Sequence, residues 1–116
     1  MKKHLLALAV TLAATGSVWA QASDTLAKIK SSGTVTLGVR ESSGLGYTLG
    51  NGKYVGFHTE MGERVLADIQ KQLGLAKLDI KYQPVTSQNR IPLVQNGTVD
   101  IECGSTTNNA ARQKDV

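Results

Sequence analysis

The chain has a single cysteine among its 116 residues, so no disulfide bond can form within it. Cys103 is therefore either a buried apolar residue or the partner of a cysteine outside this segment. The sequence also has no metal-ligand spacing, no phosphate-binding loop, no nucleophile elbow and no pair of acids placed for catalysis. These absences leave catalysis, a resident metal and a cofactor without support in the residues.

The charge of the chain shows little excess of either sign. The formal net charge is +4, but Lys2 and Lys3 belong to a segment that we expect to be removed. An excess of two basic residues then remains, which is too small to indicate a nucleic acid or an anionic membrane surface as partner. The length predicts about one domain of ordinary globular composition. Any anion binding must therefore rest on particular arginines.

Residues 1–20 have the three-part order of a secretory signal peptide. A short basic start is followed by an apolar run at 5–14, and residues 18–20 end with small side chains two positions apart. The apolar run is too short to span a bilayer, which needs about 20 residues. We therefore expect cleavage after Ala20 and export of residues 21–116.

Strand and helix patterns alternate along the rest of the chain. Apolar alternation predicts strands, and apolar residues at helical spacing predict helices. The strands are predicted at 34–39, 78–85 and 99–103, and the helices at 24–30, at 60–73 and in a short segment with Pro92 in its first turn. Between the first strand and the second helix, residues 44–56 contain five glycines and an Asn51-Gly52 turn signal, which predicts a small hairpin.

The helix boundaries follow from capping residues and from the buried face. Ser23 is predicted to cap the first helix and Thr59 the second. The buried face of the second helix is predicted to consist of Met61, Val65, Leu66, Ile69 and Leu73. A further helix is predicted to begin at Ala110, and its N-terminus would suit an anion held by the preceding hydroxyl-rich loop.

The order strand, helix, strand, helix, strand predicts an α/β fold with a parallel sheet and right-handed crossovers. In such sheets ligands bind outside the carboxyl ends of the strands. Arg40 follows the first strand, Ser87 and Arg90 follow the second, and the segment 105–107 follows the third. We therefore expect these residues to meet at one edge of the sheet.

The groups predicted at this edge suit a small molecule with two negative charges. A guanidinium offers five donors in a planar fork that matches a carboxylate, and it stays charged. The candidates are Arg40, Arg90 and Arg112, with Ser87, Ser105 and Thr107 as neutral donors. Each arginine alone is more often a solvated surface residue than a ligand-binding one, and their shared placement is what favours a site. Glu102, inside the third strand, is interpreted as structural and as facing away from this edge.

Four segments together resemble the bacterial extracellular solute-binding proteins of family 3, and in particular the branch that binds glutamate and aspartate. These segments are GVRESS at 38–43, TSQNRIPL at 86–93, QNGTVD at 95–100 and ECGSTTNN at 102–109. The resemblance covers residues 24–116. It implies the type II periplasmic-binding-protein fold, in which a hinge joins two α/β lobes. Residues 21–116 would be an incomplete first lobe, truncated before the hinge and the second lobe.

The resemblance also implies a ligand set. Arg40, Ser87 and Arg90 would hold the side-chain carboxylate of an acidic amino acid. The α-carboxylate would be held by Ser105, Thr107 and Arg112, and the amino group by an acidic residue of the second lobe. The implied partner is an inner-membrane ABC permease, the implied location is the periplasm, and the full-length protein would be a monomer that binds no nucleic acid, metal or cofactor.

Two points stay open at this stage. Relatives carry a Pro-Phe pair after the first strand where this chain has residues 44–47, and Tyr47 either replaces that aromatic wall or does not. The same lobe architecture also serves exported enzymes such as cyclic-acid dehydratases and the sensor domains of receptors. An enzyme would need a general acid or base in the cleft. Half a cleft cannot enclose a ligand, so we expect negligible affinity for residues 21–116 alone.

Overall fold

The computed structural model describes residues 24–42 and 44–116, so the predicted signal peptide and the predicted cap at Ser23 lie outside the described residues. The elements in chain order are α1 (Asp24–Ser32), β1 (Thr34–Val39), β2 (Tyr47–Gly50), β3 (Lys53–Val55), α2 (Phe57–Gln72), β4 (Asp79–Pro84), α3 (Arg90–Gln95), β5 (Ile101–Glu102) and a 3-10 helix at Arg112–Lys114. Across the two described ranges, no helix is both long enough and apolar enough to cross a bilayer.

Strand β1 is the centre of a three-stranded parallel sheet with the order β4-β1-β5. Leu37 in β1 lies opposite Tyr82 in β4 on one side and opposite Ile101 in β5 on the other. Parallel neighbours require crossover connections, which α2 and α3 provide. The predicted parallel sheet is confirmed, and the carboxyl ends of its three strands lie along one edge.

The hydrophobic core lies against one face of β1. Val35, Leu37 and Val39 alternate along the strand and are at most 2% exposed, because they pack against Ile29 of α1 and Leu66 of α2. Arg40 follows β1 directly, so its backbone starts from the most firmly packed strand of the sheet.

The start of α2 differs from the prediction. The helix begins at Phe57, three residues before the predicted start, and Gly56 is its N-cap with no side-chain cap bond. Gly56 has φ 114, and a Cβ there would lie 2.7 Å from the carbonyl oxygen of Leu45. Only glycine fits here, because the positive φ and the close approach to Leu45 both leave no room for a Cβ. Thr59 is 4% exposed inside the first turn and is not the cap.

The buried face of α2 is also rotated from the predicted one. Met61 and Val65 are 43% and 41% exposed, whereas Gly62 and Leu66 face the sheet. A Cβ at Gly62 would lie 2.9 Å from Cδ1 of Leu37. The missing side chain lets the helix approach β1 closely, and this approach decides which face is buried.

The hairpin is confirmed, since β2 and β3 pair antiparallel with Tyr47 opposite Val55 and Thr48 opposite Tyr54. The third strand, predicted at 99–103, contains only Ile101 and Glu102. No α-helix begins at Ala110, where the only helical segment is the 3-10 helix of three residues at Arg112–Lys114. The predicted contribution of a helix N-terminus to anion binding is therefore wrong, because three residues do not align enough peptide dipoles.

Candidate functional site

The hydroxyl oxygen of Ser105 joins two of the predicted arginines. Nη1 of Arg40 donates to it at 3.3 Å, and Nη1 of Arg90 donates to it at 3.4 Å. Arg40 follows β1, Arg90 begins α3 after β4, and Ser105 follows β5. The three strand ends therefore converge as the parallel topology predicts, and they bring two positive charges to one small hydroxyl.

Arg90 is the most buried charged side chain of the site, with 6% of its surface exposed. The loop before it is fixed by Thr86 and Asn89: the Thr86 amide donates to the Asn89 side-chain oxygen at 2.7 Å, and the Asn89 amide donates to the Thr86 hydroxyl at 3.3 Å. Nε of Arg90 is buried and has no hydrogen-bond partner among the described residues. A buried guanidinium with a free donor has a strong preference for an acceptor.

Arg90 opens into a cavity of about 310 Å³ that we name the arginine cavity. It is lined by Arg90, Glu102, Cys103, Thr106, Thr107 and Arg112, together with apolar side chains of α3. Nη1 of Arg112 donates to the carbonyl oxygen of Thr107 at 2.9 Å, and the Arg112 amide donates to the side-chain oxygen of Asn109 at 3.0 Å. Arg112 therefore holds the loop while keeping further guanidinium donors.

A second cavity of about 510 Å³, which we name the hairpin cavity, is lined by Arg40 and by Tyr54 of the hairpin. Its lining includes Arg40, Glu41, Tyr54, Val85, Ser87 and Gln88. Ser87 is thus brought next to Arg40 as predicted, but in a cavity separate from that of Thr107 and Arg112. Five of the six predicted residues line one of these two cavities, and the sixth, Ser105, lines neither but contacts one arginine of each.

Tyr47, the candidate replacement for the aromatic wall, is 47% exposed and lines neither of these two cavities. The aromatic side chain at the hairpin cavity is that of Tyr54, which sequence reasoning missed. A usable signal existed, because strand alternation places Tyr54 and Tyr47 on different faces of the hairpin register.

Glu102 does not face away from the site. Its carboxylate lines the arginine cavity, and Oε2 accepts a hydrogen bond from the Thr106 hydroxyl at 2.6 Å. Oε1 is buried with no partner among the described residues and lies over Gly104, where any Cβ would collide with it. Strand β5 ends at Glu102, so the chain turns and the side chain lies along the loop.

Cys103 is half-buried beside Glu102 and lines the same cavity. Burial raises the pKa of its thiol, and the negative charge of Glu102 raises it further, although a hydrogen bond with the Gly62 backbone lowers it. A raised thiol pKa means little thiolate at neutral pH, so Cys103 behaves as a small apolar wall residue. Residues 24–42 and 44–116 contain no cluster of three metal-binding side chains.

The arrangement brings together groups of the kind that bind anions. Arg40, Arg90 and Arg112 supply fixed positive charge, and the hydroxyls of Ser87, Ser105 and Thr107 lie within the same edge. The one carboxylate in the arginine cavity, Glu102, is already bonded to Thr106. The geometry suits a small molecule with more than one carboxylate.

Known proteins resemble this chain in sequence. The sequence profile of the bacterial extracellular solute-binding proteins, family 3, matches residues 35–116. An L-glutamate/L-aspartate-binding protein of Pseudomonas aeruginosa is 54% identical over 94 residues, which cover 79% of this chain and 31% of that protein. A glutamate/aspartate import solute-binding protein of Escherichia coli is 44% identical over 110 residues, which cover 94% of this chain and 36% of that protein. The chain thus spans about a third of the length of the curated relatives it matches.

A solved structure agrees with the fold. An ancestral amino acid-binding protein, described as a precursor of cyclohexadienyl dehydratase, superposes with a TM-score of 0.63 at 27% identity and covers 78% of this chain and 37% of its own. The parallel sheet with flanking helices therefore corresponds to one lobe of the periplasmic amino-acid-binding fold. Because the profile match extends over most of the chain, this protein belongs to the bacterial extracellular solute-binding proteins of family 3.

Proposed function

We propose that this chain forms part of the first lobe of the substrate-binding component of an ABC importer for acidic amino acids, L-glutamate or L-aspartate. The observation that supports this most directly is the hydroxyl of Ser105, where Nη1 of Arg40 and Nη1 of Arg90 meet at 3.3 and 3.4 Å. Two guanidiniums held this close repel each other, and a carboxylate between them would relieve that repulsion. The printed names of the two curated relatives refer to the same ligands.

The proposed ligand set divides between two carboxylates. Arg40, Ser87 and Arg90 hold the side-chain carboxylate, and Ser105, Thr107 and Arg112 hold the α-carboxylate. The partnerless Nε of Arg90 and the unused donors of Arg112 support anion binding by these two arginines, since neither guanidinium has all of its donors occupied among the described residues. An acidic residue of the second lobe would bind the amino group.

The cellular setting is part of the same proposal. The protein would be exported to the periplasm, with cleavage after Ala20, and would act as a monomer when complete. Closure of its two lobes over the amino acid would be the state that an inner-membrane permease reads. Binding and closure need no metal, cofactor or catalytic residue, so we propose a binding protein and no enzyme.

Isothermal titration calorimetry on the full-length protein tests this function. We expect a binding heat with L-glutamate or L-aspartate and none with L-arginine or L-glutamine. The uncharged glutamine is the sharper comparison, because it matches glutamate in shape and differs in the one group that two arginines would recognise. Heat with arginine or glutamine and none with either acid would overturn the proposal.

A second candidate is an exported enzyme that acts on a small cyclic acid. It is favoured by the structural similarity to a protein described as a precursor of cyclohexadienyl dehydratase. The first lobe offers only Glu102 as an acid in the arginine cavity, and its carboxylate already accepts from Thr106. Product formation from a prephenate-like acid by the full-length protein would establish this alternative, and its absence alongside amino-acid binding would exclude it.

A further inference from the structure

The β2–β3 hairpin is held to the sheet by very few side chains. Every residue of β2 is exposed, and in β3 only Tyr54 and Val55 are half-buried. The ring of Tyr54 stacks on that of Tyr82 in β4, with 5.9 Å between centroids and 26° between planes. This stack fixes the position of the Tyr54 ring relative to the end of β4.

Tyr82 is itself anchored from the other side. Its hydroxyl donates to the carboxylate of Glu63 in α2 at 2.5 Å, which orients its ring. Burial, together with the hydrogen bond to Glu63 and its negative charge, raises the pKa of Tyr82 to about 12. Tyr82 is therefore neutral and remains a donor at physiological pH. A connected series from Glu63 through Tyr82 thus places the Tyr54 ring.

The Tyr54 ring borders the same cavity as Arg40 and Ser87. Val85 also lines this cavity and is buried, with 6% of its surface exposed. An aromatic ring is rigid and bulky, so it limits how far a ligand side chain can extend past the arginine.

We propose that Tyr54 is a specificity-determining residue that limits the length of the acidic side chain accepted at Arg40 and Ser87. This inference rests on the proposed function, because it assigns a size limit to the proposed side-chain carboxylate site. One extra methylene against a fixed hydrophobic wall typically changes discrimination about 10-fold to 200-fold. The wall therefore suffices to separate glutamate from its next longer homologue.

The experiment compares dissociation constants for L-glutamate, L-aspartate and L-2-aminoadipate, which is one methylene longer than glutamate. Calorimetry would use the full-length protein and its variants Tyr54→Ala, Tyr54→Val and Tyr54→Phe. The preference is the dissociation constant for aminoadipate divided by that for the better-bound natural acid. In Tyr54→Ala and Tyr54→Val we expect this ratio to fall by about 10-fold or more. Tyr54→Phe keeps the ring and should keep the preference. Tyr54→Val retains strand propensity in case the alanine variant folds poorly.

Tyr47→Ala is the matched control, because it removes a tyrosine of the same hairpin that is 47% exposed and lies outside the cavity. It should leave the preference unchanged. If the Tyr54 variants lower stability or all affinities equally while the preference stays at the wild-type ratio, Tyr54 only packs the hairpin and the inference is wrong. If the wild-type protein binds none of the three acids, the proposed function itself fails, which is a separate result.

Discussion

The ammonium group of Lys28 in α1 lies 2.6 Å from Oδ1 of Asp100, seventy-two residues further along the chain. The Asp100 side chain is 3% exposed, whereas that of Lys28 is 50% exposed. Oδ2 of Asp100 accepts from the Thr36 amide at 2.8 Å, one residue before the register of β1 with β5 begins. The Asp100 carboxylate therefore continues the hydrogen bonding between β1 and β5 by one residue, and it fixes the position at which β5 begins.

Replacing Asp100 should destabilise the fold far more than replacing its partner. Asp100→Ala leaves the Thr36 amide without an acceptor, and we expect a loss of about 2–4 kcal/mol in the free energy of unfolding. Lys28→Ala should lower it by about 1 kcal/mol or less, since the lysine is half exposed. Urea denaturation of the full-length variants measures both.

Lys71→Ala is the control for this pair of variants. Its 3.8 Å contact with Asp68 joins side chains that are 80% and 73% exposed, so its removal should change stability very little. Equal losses from Asp100→Ala and Lys28→Ala would show that the ion pair matters and the amide contact does not.

Gly62→Ala should destabilise the protein although alanine favours a helix. The new Cβ would lie 2.9 Å from Cδ1 of Leu37 and 3.2 Å from Cβ of Cys103, so α2 must move off the sheet. Overpacking typically costs about 1–3 kcal/mol, against about 1 kcal/mol gained in helix propensity. We expect a net loss of about 1 kcal/mol by urea denaturation. Ala67→Gly, at an exposed position of α2, measures the propensity contribution alone, and a stabilised Gly62→Ala variant would contradict the close approach.

The free energy of unfolding should decrease at alkaline pH because the Tyr82 hydroxyl loses its proton. Burial and Glu63 raise its pKa to about 12 in the folded protein, above the value of 10.0 in an unfolded chain. The folded state therefore favours the neutral phenol: this contribution is fully present below pH 10 and is lost as pH rises through 12. The difference in unfolding free energy between the wild type and Tyr82→Phe should be constant from pH 7 to 9 and then shrink toward pH 12. A constant difference over the whole range would refute the raised pKa.

Removing either arginine of the arginine cavity should weaken binding of the acidic amino acid. Arg90→Ala and Arg112→Ala each leave a ligand carboxylate unpaired, and we expect losses of about 2 kcal/mol or more, which is about 30-fold in affinity. Calorimetry on the full-length variants gives the dissociation constants. Because Arg90 is buried, thermal melts check that the Arg90→Ala variant is still folded. Arg64→Ala, on the exposed surface of α2, removes the same charge away from the site and should bind normally. Wild-type affinity in Arg90→Ala and Arg112→Ala would refute their assignment.

Much of the fold could be predicted because the signals were local. Alternating residues at 34–39 and the Asn51-Gly52 turn depend on neighbours in the chain, and both predictions are confirmed. The meeting of Arg40 and Arg90 was also predictable, since parallel strands place their carboxyl ends at one edge.

The errors arose where distant contacts decide the local structure. The face of α2 is set by the fit of Gly62 against Leu37, and no helical periodicity contains that information. The orientation of Glu102 follows from the early end of β5, and the position of Tyr54 follows from its stack on Tyr82. Thr59 matched a cap residue, but the tight approach of Gly56 to Leu45 started the helix earlier.

The two arginine contacts at Ser105 also fix the polarity of that hydroxyl. A serine oxygen has two lone pairs, and the Nη1 atoms of Arg40 and Arg90 occupy both of them. The hydroxyl hydrogen is then the one part of Ser105 still able to bond, so this group can donate to a guest but cannot accept from one. An ammonium or amide N–H brought to this point would find no free lone pair on Ser105, whereas an oxygen acceptor would find its hydroxyl hydrogen.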